Sequence, residues 1–169
     1  MTGPASPGWA ARPRWAVFWG LAVAVLVLDQ LTKAALVANL DPGESVEVLG
    51  DWLRLVHGQN DGAIFGLFQG SSILFAAVSL LVIGLIVLFQ ARSHGDLILA
   101  VALGLLLGGA IGNLVDRLRY GYVVDFIDMG IGGWRFYTFN VADASISLAV
   151  VLLLVRAVWP APQPTPADG

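Results

Sequence analysis

Gly108-Gly109-Ala110-Ile111-Gly112-Asn113-Leu114-Val115-Asp116-Arg117, then Val123-Val124-Asp125-Phe126, then Phe139-Asn140-Val141-Ala142-Asp143: between residues 108 and 143 one apolar run ends on an amide, a carboxylate and a guanidinium, and another opens on an amide and a carboxylate. Nothing in water requires such residues to be set into membrane-length hydrophobic segments. Inside a membrane helix each ionisable side chain costs roughly 2.5–3.5 kcal/mol at mid-span, so such residues are usually kept for function.

Composition sets the surroundings of that stretch. The chain is 57% hydrophobic and 12% charged, against about 25% charged in a soluble domain. One integral membrane domain over residues 15–159 is the simplest reading, with a flexible cytoplasmic N-terminus, 1–14, and a disordered cytoplasmic tail, 160–169, holding four prolines. A net charge of −3 offers no basic patch, so nucleic acid is not an expected partner. The absence of cysteine excludes disulfides, a thiol nucleophile and a lipidation site. His57 and His94 lie far apart, so no zinc site built on histidine or thiolate is expected.

Four apolar segments are long enough to span. The run Trp15–Leu28 has the length of a signal-peptide core. It continues, however, through Asp29-Gln30-Leu31-Thr32-Lys33 to Leu40, and three more spans follow, so a retained first span fits better. The second span covers about Ser72–Phe89 and carries no charge; the third covers about Leu97–Leu118; the fourth covers about Asn140–Trp159. At about 1.5 Å per residue the second just crosses a core of roughly 30 Å. Gly104, Gly108 and Gly112 recur every fourth residue and invite close helix approach.

Between the first two spans, Val46-Glu47-Val48 and Leu53-Arg54-Leu55 alternate like short strands and suggest a ribbon on the membrane face. Gly58-Gln59-Asn60-Asp61-Gly62-Ala63 reads as a flexible polar turn, and Ile64-Phe65-Gly66-Leu67-Phe68 as a headgroup-level segment. Between the last two spans, Tyr122–Ile127 and Trp134–Phe139 are strand-like. The expected fold is thus an all-α integral membrane protein: four transmembrane helices with a small β element in the extracytoplasmic loops.

Four spans put both termini on one side. Arg12, Arg14, Arg92 and Arg156 fall there; Arg54, Arg117, Arg119 and Arg135 fall on the loop side. The count is a tie, and Arg12 and Arg14 beside the first helix favour cytoplasmic termini. The intramembrane polar residues then share one depth. Asp29 and Lys33, spaced i and i+4, can pair. Asn113, Asp116 and Arg117 sit at the outer end of the third span, and Asn140 and Asp143 at the outer start of the fourth.

In this order and between these spans, Asp29-Gln30-Leu31-Thr32-Lys33, Asn60-Asp61-Gly62-Ala63, Gly112-Asn113-Leu114-Val115-Asp116-Arg117, Val123-Val124-Asp125-Phe126 and Phe139-Asn140-Val141-Ala142-Asp143 are similar to the motifs of the lipoprotein signal peptidase (signal peptidase II) family, bacterial membrane aspartic peptidases of family A8. The resemblance covers about residues 15–159. Ile64 departs from it, standing where a second small residue is common after Gly62-Ala63.

The resemblance implies that Asp125 and Asp143 are the catalytic pair. Two neighbouring carboxylates do not both ionise cheaply and share one proton. The ionised member draws a proton from the attacking water while the protonated member donates to the oxyanion. Around them, Asn140 can orient Asp143, Asn113 and Arg117 can bond substrate carbonyls, and Asp116 can pair with an arginine. Asp29 and Lys33 belong by resemblance to the substrate-facing layer; Asn60 and Gly62 suggest a flap. The bland reading of the supporting residues is helix-packing glue. For Asp125 it is a solvated loop carboxylate, and for Asp143 a helix N-terminal acid.

The implied substrate is a prolipoprotein whose lipobox cysteine carries diacylglycerol, cleaved just before that cysteine. Membrane lipid is the other implied partner, and a monomer without cofactor is expected. Globomycin-type peptides inhibit the family. The alternative is a small proton-coupled transporter, which would need a polar path to both faces, although the second span and the inner halves of the others are almost wholly apolar. A structural scaffold would not cluster so many polar groups. A Ser-Lys peptidase is disfavoured, since Lys33 is the only lysine and its helix carries no serine.

Overall fold

The computed structural model of the chain describes residues 13–62, 72–93 and 95–159. The N-terminal segment through Arg12, the Ala63–Phe68 stretch with its Ile64 departure, and the tail 160–169 lie outside the described residues. Four helices are long and apolar enough to cross a membrane: α1 (Trp15–Asn39), α2 (Ser72–Ala91), α3 (Leu97–Tyr120) and α4 (Val141–Val158). Between them lie strands β1 (Ser45–Leu49), β2 (Leu53–Asn60), β3 (Val123–Ile131) and β4 (Trp134–Arg135).

Helix α3 is central and packs against all three other helices. Its glycines make this possible. A Cβ on Gly104 would stand 2.7 Å from the Phe18 carbonyl oxygen, and one on Gly108 2.7 Å from that of Ala22, both on α1. One on Gly109 would stand 2.6 Å from the Ala142 carbonyl oxygen on α4. Without a hydrophobic drive between helices in lipid, close backbone approach supplies the packing energy. Phe18, Ala22, Ile86, Leu103 and Leu107 fill the core of the bundle. Leu31, Ile73, Leu81 and Leu154 point outward and remain exposed, as lipid-facing positions do.

Helix ends are specified locally. The Asp96 side chain accepts from the Leu99 amide at 3.1 Å and starts α3; Gly121, with φ of 81°, ends it. Asp96 also binds Arg156 at 2.5 Å, and Arg14 donates to the Gly95 carbonyl at 2.8 Å. These contacts gather the start of α1, the end of α4 and the α2–α3 link at one end of the bundle, opposite the sheet.

The strands form one antiparallel sheet, ordered β1-β2-β3-β4. This differs from the separate strand pieces expected in each loop. Strand β2 pairs with β3 from Leu53 opposite Met129 to Asn60 opposite Val123. Gly58, Gln59 and Asn60, expected in a flexible turn, are the last residues of β2. The reason lies at Gly58, where a Cβ would meet the Asp125 carbonyl oxygen at 2.8 Å. Lacking that atom, β2 closes on the Asp125 backbone just past a register shift between Leu55 and Gly58. Strand β4 is shorter than its apolar alternation suggests; beyond Arg135 the Phe136 amide still donates to the Met129 carbonyl at 2.6 Å, and Phe139 bridges Ile127.

Candidate active site

The sheet and the adjoining ends of α1, α3 and α4 converge on a buried polar layer. Asp125 lies on β3, nearly inaccessible, and accepts from Asn60 Nδ2 at 2.9 Å and from Asn140 Nδ2 at 2.7 Å. Asp143, in the first turn of α4, accepts from Asn113 Nδ2 at 2.8 Å and from the Asn140 amide at 3.3 Å. Asn140 caps α4, its Oδ1 accepting from the Asp143 amide at 2.9 Å. One asparagine thus donates to both carboxylates, from its side chain to Asp125 and from its backbone to Asp143. The capping box that starts the helix also aims its carboxylate.

A second tier supports the first. Lys33 ion-pairs with Asp29 and with Asp116, each at 2.8 Å, and donates to Asn113 Oδ1 at 3.1 Å. Asp29 Oδ1 accepts from the Ala142 amide at 2.9 Å, tying α1 to the start of α4. Asp116 Oδ2 accepts from the Val124 amide at 3.1 Å, tying α3 to β3. The expected arginine partner of Asp116 is instead Lys33. On a helix each residue turns about 100° from the last; Asp116 therefore faces α1 while Asn113 and Arg117 border the cavity described below. Asp29 and Lys33, expected to face substrate, are buried and do not line that cavity.

Two participants carried no expectation. Gln30 donates to Asp116 Oδ1 at 2.9 Å and to Asp29 Oδ2 at 3.2 Å. The Tyr137 hydroxyl accepts from Asn60 Nδ2 at 2.7 Å. Gln30 was legible as a polar residue within an apolar run; Tyr137, among aromatics, gave no comparable signal.

A cavity of about 880 Å³ opens beside Asp143, between α2, α3 and α4; the buried Asp125 is not among the residues that line it. Asn60, Gly62, Asn113, Arg117, Tyr137 and Asp143 border its polar end; Phe75, Val78, Val82, Leu106 and Ile146 line its apolar part. Arg117 stacks over Phe75 at 5.5 Å and donates to the Gly62 carbonyl at 3.4 Å, while its buried Nε has no hydrogen-bond partner among the described residues. Asn60 Oδ1 accepts from the Gly62 amide at 3.2 Å, so this corner is bonded to the site. Among the described residues no group of histidine and carboxylate side chains is placed to hold a metal ion.

The carboxyl of Asp125 is pushed up to about 7, first by burial and next by the nearby Asp143 carboxylate. The amides of Asn60 and Asn140 and the Lys33 ammonium oppose that rise. At neutral pH the carboxyl is therefore poised between its two forms, as general acid–base work requires.

Residues 21–159 match the family described as Signal peptidase (SPase) II, Peptidase A8. The chain belongs to the signal peptidase II family. Relatives of this family include the lipoprotein signal peptidase of Staphylococcus carnosus, 39% identical over 140 residues, covering 82% of this chain and 88% of the relative. That of Syntrophomonas wolfei is 44% identical over 138 residues, covering 82% and 90%. A solved bacterial membrane enzyme, determined by the in meso method at 2.3 Å, superposes with a TM-score of 0.85 at 30% identity, over 95% of this chain and 99% of that one. A second, at 1.9 Å, gives 0.80 at 32% identity, over 91% and 99%. As a signal peptidase II the chain is an aspartic peptidase of family A8 and a multi-pass bacterial membrane protein.

Proposed function

We propose that Asp125 and Asp143 are the catalytic pair with which this signal peptidase II cleaves signal peptides from prolipoproteins. The observation that carries the proposal is their shared asparagine: Asn140 donates to both carboxylates, at 2.7 Å and 3.3 Å, beside the cavity. The pair holds one proton. Its ionised member removes a proton from water as the oxygen attacks the scissile carbonyl, and its protonated member donates to the developing oxyanion. Both carboxylates keep their positions without help from substrate, because Asn60, Asn113 and Asn140 already bind them.

The apolar part of the cavity suits a signal-peptide helix entering sideways from the bilayer between α2 and α4. Arg117, whose side chain borders the cavity, can bond a substrate carbonyl. A substrate cysteine already bearing diacylglycerol can leave its acyl chains among the lipid tails, with the bond before it at the carboxylates. The enzyme works as a monomer with cytoplasmic termini, its sheet and site at the extracytoplasmic surface. The arginine count is even between the two ends, and Arg12 and Arg14 beside the first helix, which usually dominates, set the orientation.

The test is Asp125→Asn and Asp143→Asn in purified enzyme with a diacylated prolipoprotein, read by gel shift. Each should abolish cleavage while the protein still inserts and folds, and a globomycin-type peptide should block the parent. Near-normal turnover by either variant would remove it from the catalytic pair.

A further inference from the structure

Lys33 is the chain's only lysine, and its three N–H donors meet three acceptors: Asp29 Oδ2, Asp116 Oδ2 and Asn113 Oδ1. The first two neutralise buried charge. The third has a different consequence. The Asn113 amide has two ends, and only its NH₂ end can donate to Asp143, as it does at 2.8 Å. A flipped amide would set its oxygen against that carboxylate and its NH₂ against the Lys33 ammonium. Asn140 Nδ2 also reaches Asn113 Oδ1, at 3.2 Å, but spends its shortest bond, 2.7 Å, on Asp125. The charged donor, the stronger kind, is Lys33.

We propose that Lys33 is a positioning residue for the peptidase reaction: it locks the Asn113 amide so that an N–H always faces Asp143, and its positive charge favours ionisation of the pair at both steps. The inference rests on the reading of Asp125 and Asp143 as the catalytic pair. The charges around that pair are Asp29 and Lys33 on α1, Asp116 and Arg117 on α3, Asp125 on β3 and Asp143 on α4, with Arg135 of β4 bordering the cavity. Of these, Lys33 is the cation that both pairs with the buried carboxylates and reaches the dyad through a side-chain hydrogen bond.

The test compares Lys33→Met with the parent, full length in detergent or lipid, by thermal unfolding and by the pH dependence of kcat and kcat/KM on a diacylated prolipoprotein. In folded Lys33→Met, kcat should fall at least about tenfold with KM nearly unchanged, and both limbs of the pH profile should move up by about one unit. A merely structural lysine would lower the folded fraction without moving the limbs, so anything short of both changes in folded enzyme overturns the proposal. Lys33→Met can fail to fold because it leaves two buried carboxylates unpaired. The neutral triple variant Asp29→Asn/Lys33→Met/Asp116→Asn then replaces it, with reduced kcat at unchanged KM as the expected result. Parental kcat, or failure of both variants to fold, would reduce the lysine to scaffolding. Asp125→Asn and Asp143→Asn run alongside as controls: if they are dead while Lys33→Met behaves as the parent, only this inference fails, and if they turn over, the pair itself is wrong.

Discussion

At the scale of single residues, Asn140 is the position where folding and chemistry coincide. Its side chain caps α4 and holds Asp125, and its amide holds Asp143. Asn140→Ala should therefore have two separable effects. Loss of the cap should lower stability by about 1–2 kcal/mol, read as a drop in unfolding midpoint. Loss of the bond to Asp125 should cut kcat by roughly 100-fold or more, beyond what the lost stability explains. The raised carboxyl of Asp125 gives a further expectation with a definite sign. An acid lifted to about 7 keeps its proton up to neutral pH and loses it above. Above that point both members of the pair are charged and no donor remains for the oxyanion. Activity should therefore fall on the alkaline side, by about tenfold per pH unit once past the limb, and a kcat/KM profile flat to pH 9 would contradict it. Residue identities were legible in the sequence, because polar groups in apolar runs stand out. Partners were less so. Asp116 pairs with Lys33 rather than an arginine because the partner lies on another helix, and helix spacing alone does not say which way α1 and α3 are rotated.

At the scale of elements, glycine decides where the pieces meet. The recurring Gly104, Gly108 and Gly112 announced a close approach, and the structure gives the partner as α1. A Cβ on Gly112 would stand 2.6 Å from Asp29 Oδ2, a buried carboxylate already held by Lys33 and the Ala142 amide. Gly112→Ala should thus cost about 1–3 kcal/mol and depress kcat, since the shift passes to the start of α4. Gly84 on α2 has nothing within 4 Å of its would-be Cβ. Gly84→Ala should stay within about 0.5 kcal/mol of the parent. Equal destabilisation by the two, in matched thermal unfolding, would refute the close-approach account. The same logic explains why the end of β2 was not legible. A Gly-Gln-Asn-Asp-Gly run has turn composition, yet Gly58 is there so that β2 can press on the Asp125 backbone. The pairing of β2 with β3 joins distant residues, from Asn60 with Val123 to Leu53 with Met129. Local periodicity marks both strands without saying that they are neighbours.

At the scale of the molecule, the arrangement is asymmetric along the bundle. One end carries the sheet, the carboxylates and the polar mouth of the cavity; the other carries the short α2–α3 link, Arg14 near Gly95, and the Asp96–Arg156 pair. The four spans were legible from length and hydropathy alone, because lipid demands them. Their orientation was not, since arginine is divided equally between the two ends. Exposed Trp52, Ile131, Trp134 and Phe136, on or beside the sheet, suit a headgroup region on either side of the membrane. Substrate chemistry favours the outer side, where a secreted prolipoprotein presents its cleavage site. The chain itself supplies a clean assay, because it has no cysteine. Glu47→Cys, on the exposed strand β1, and Arg92→Cys, at the opposite end, each introduce one thiol away from the carboxylates and the cavity. In intact cells a membrane-impermeant maleimide should label the first and spare the second, and permeabilisation should render both reactive. The reverse pattern would put the carboxylates on the cytoplasmic side, where an exported substrate could not meet them, and would leave the proposed reaction without access to its bond.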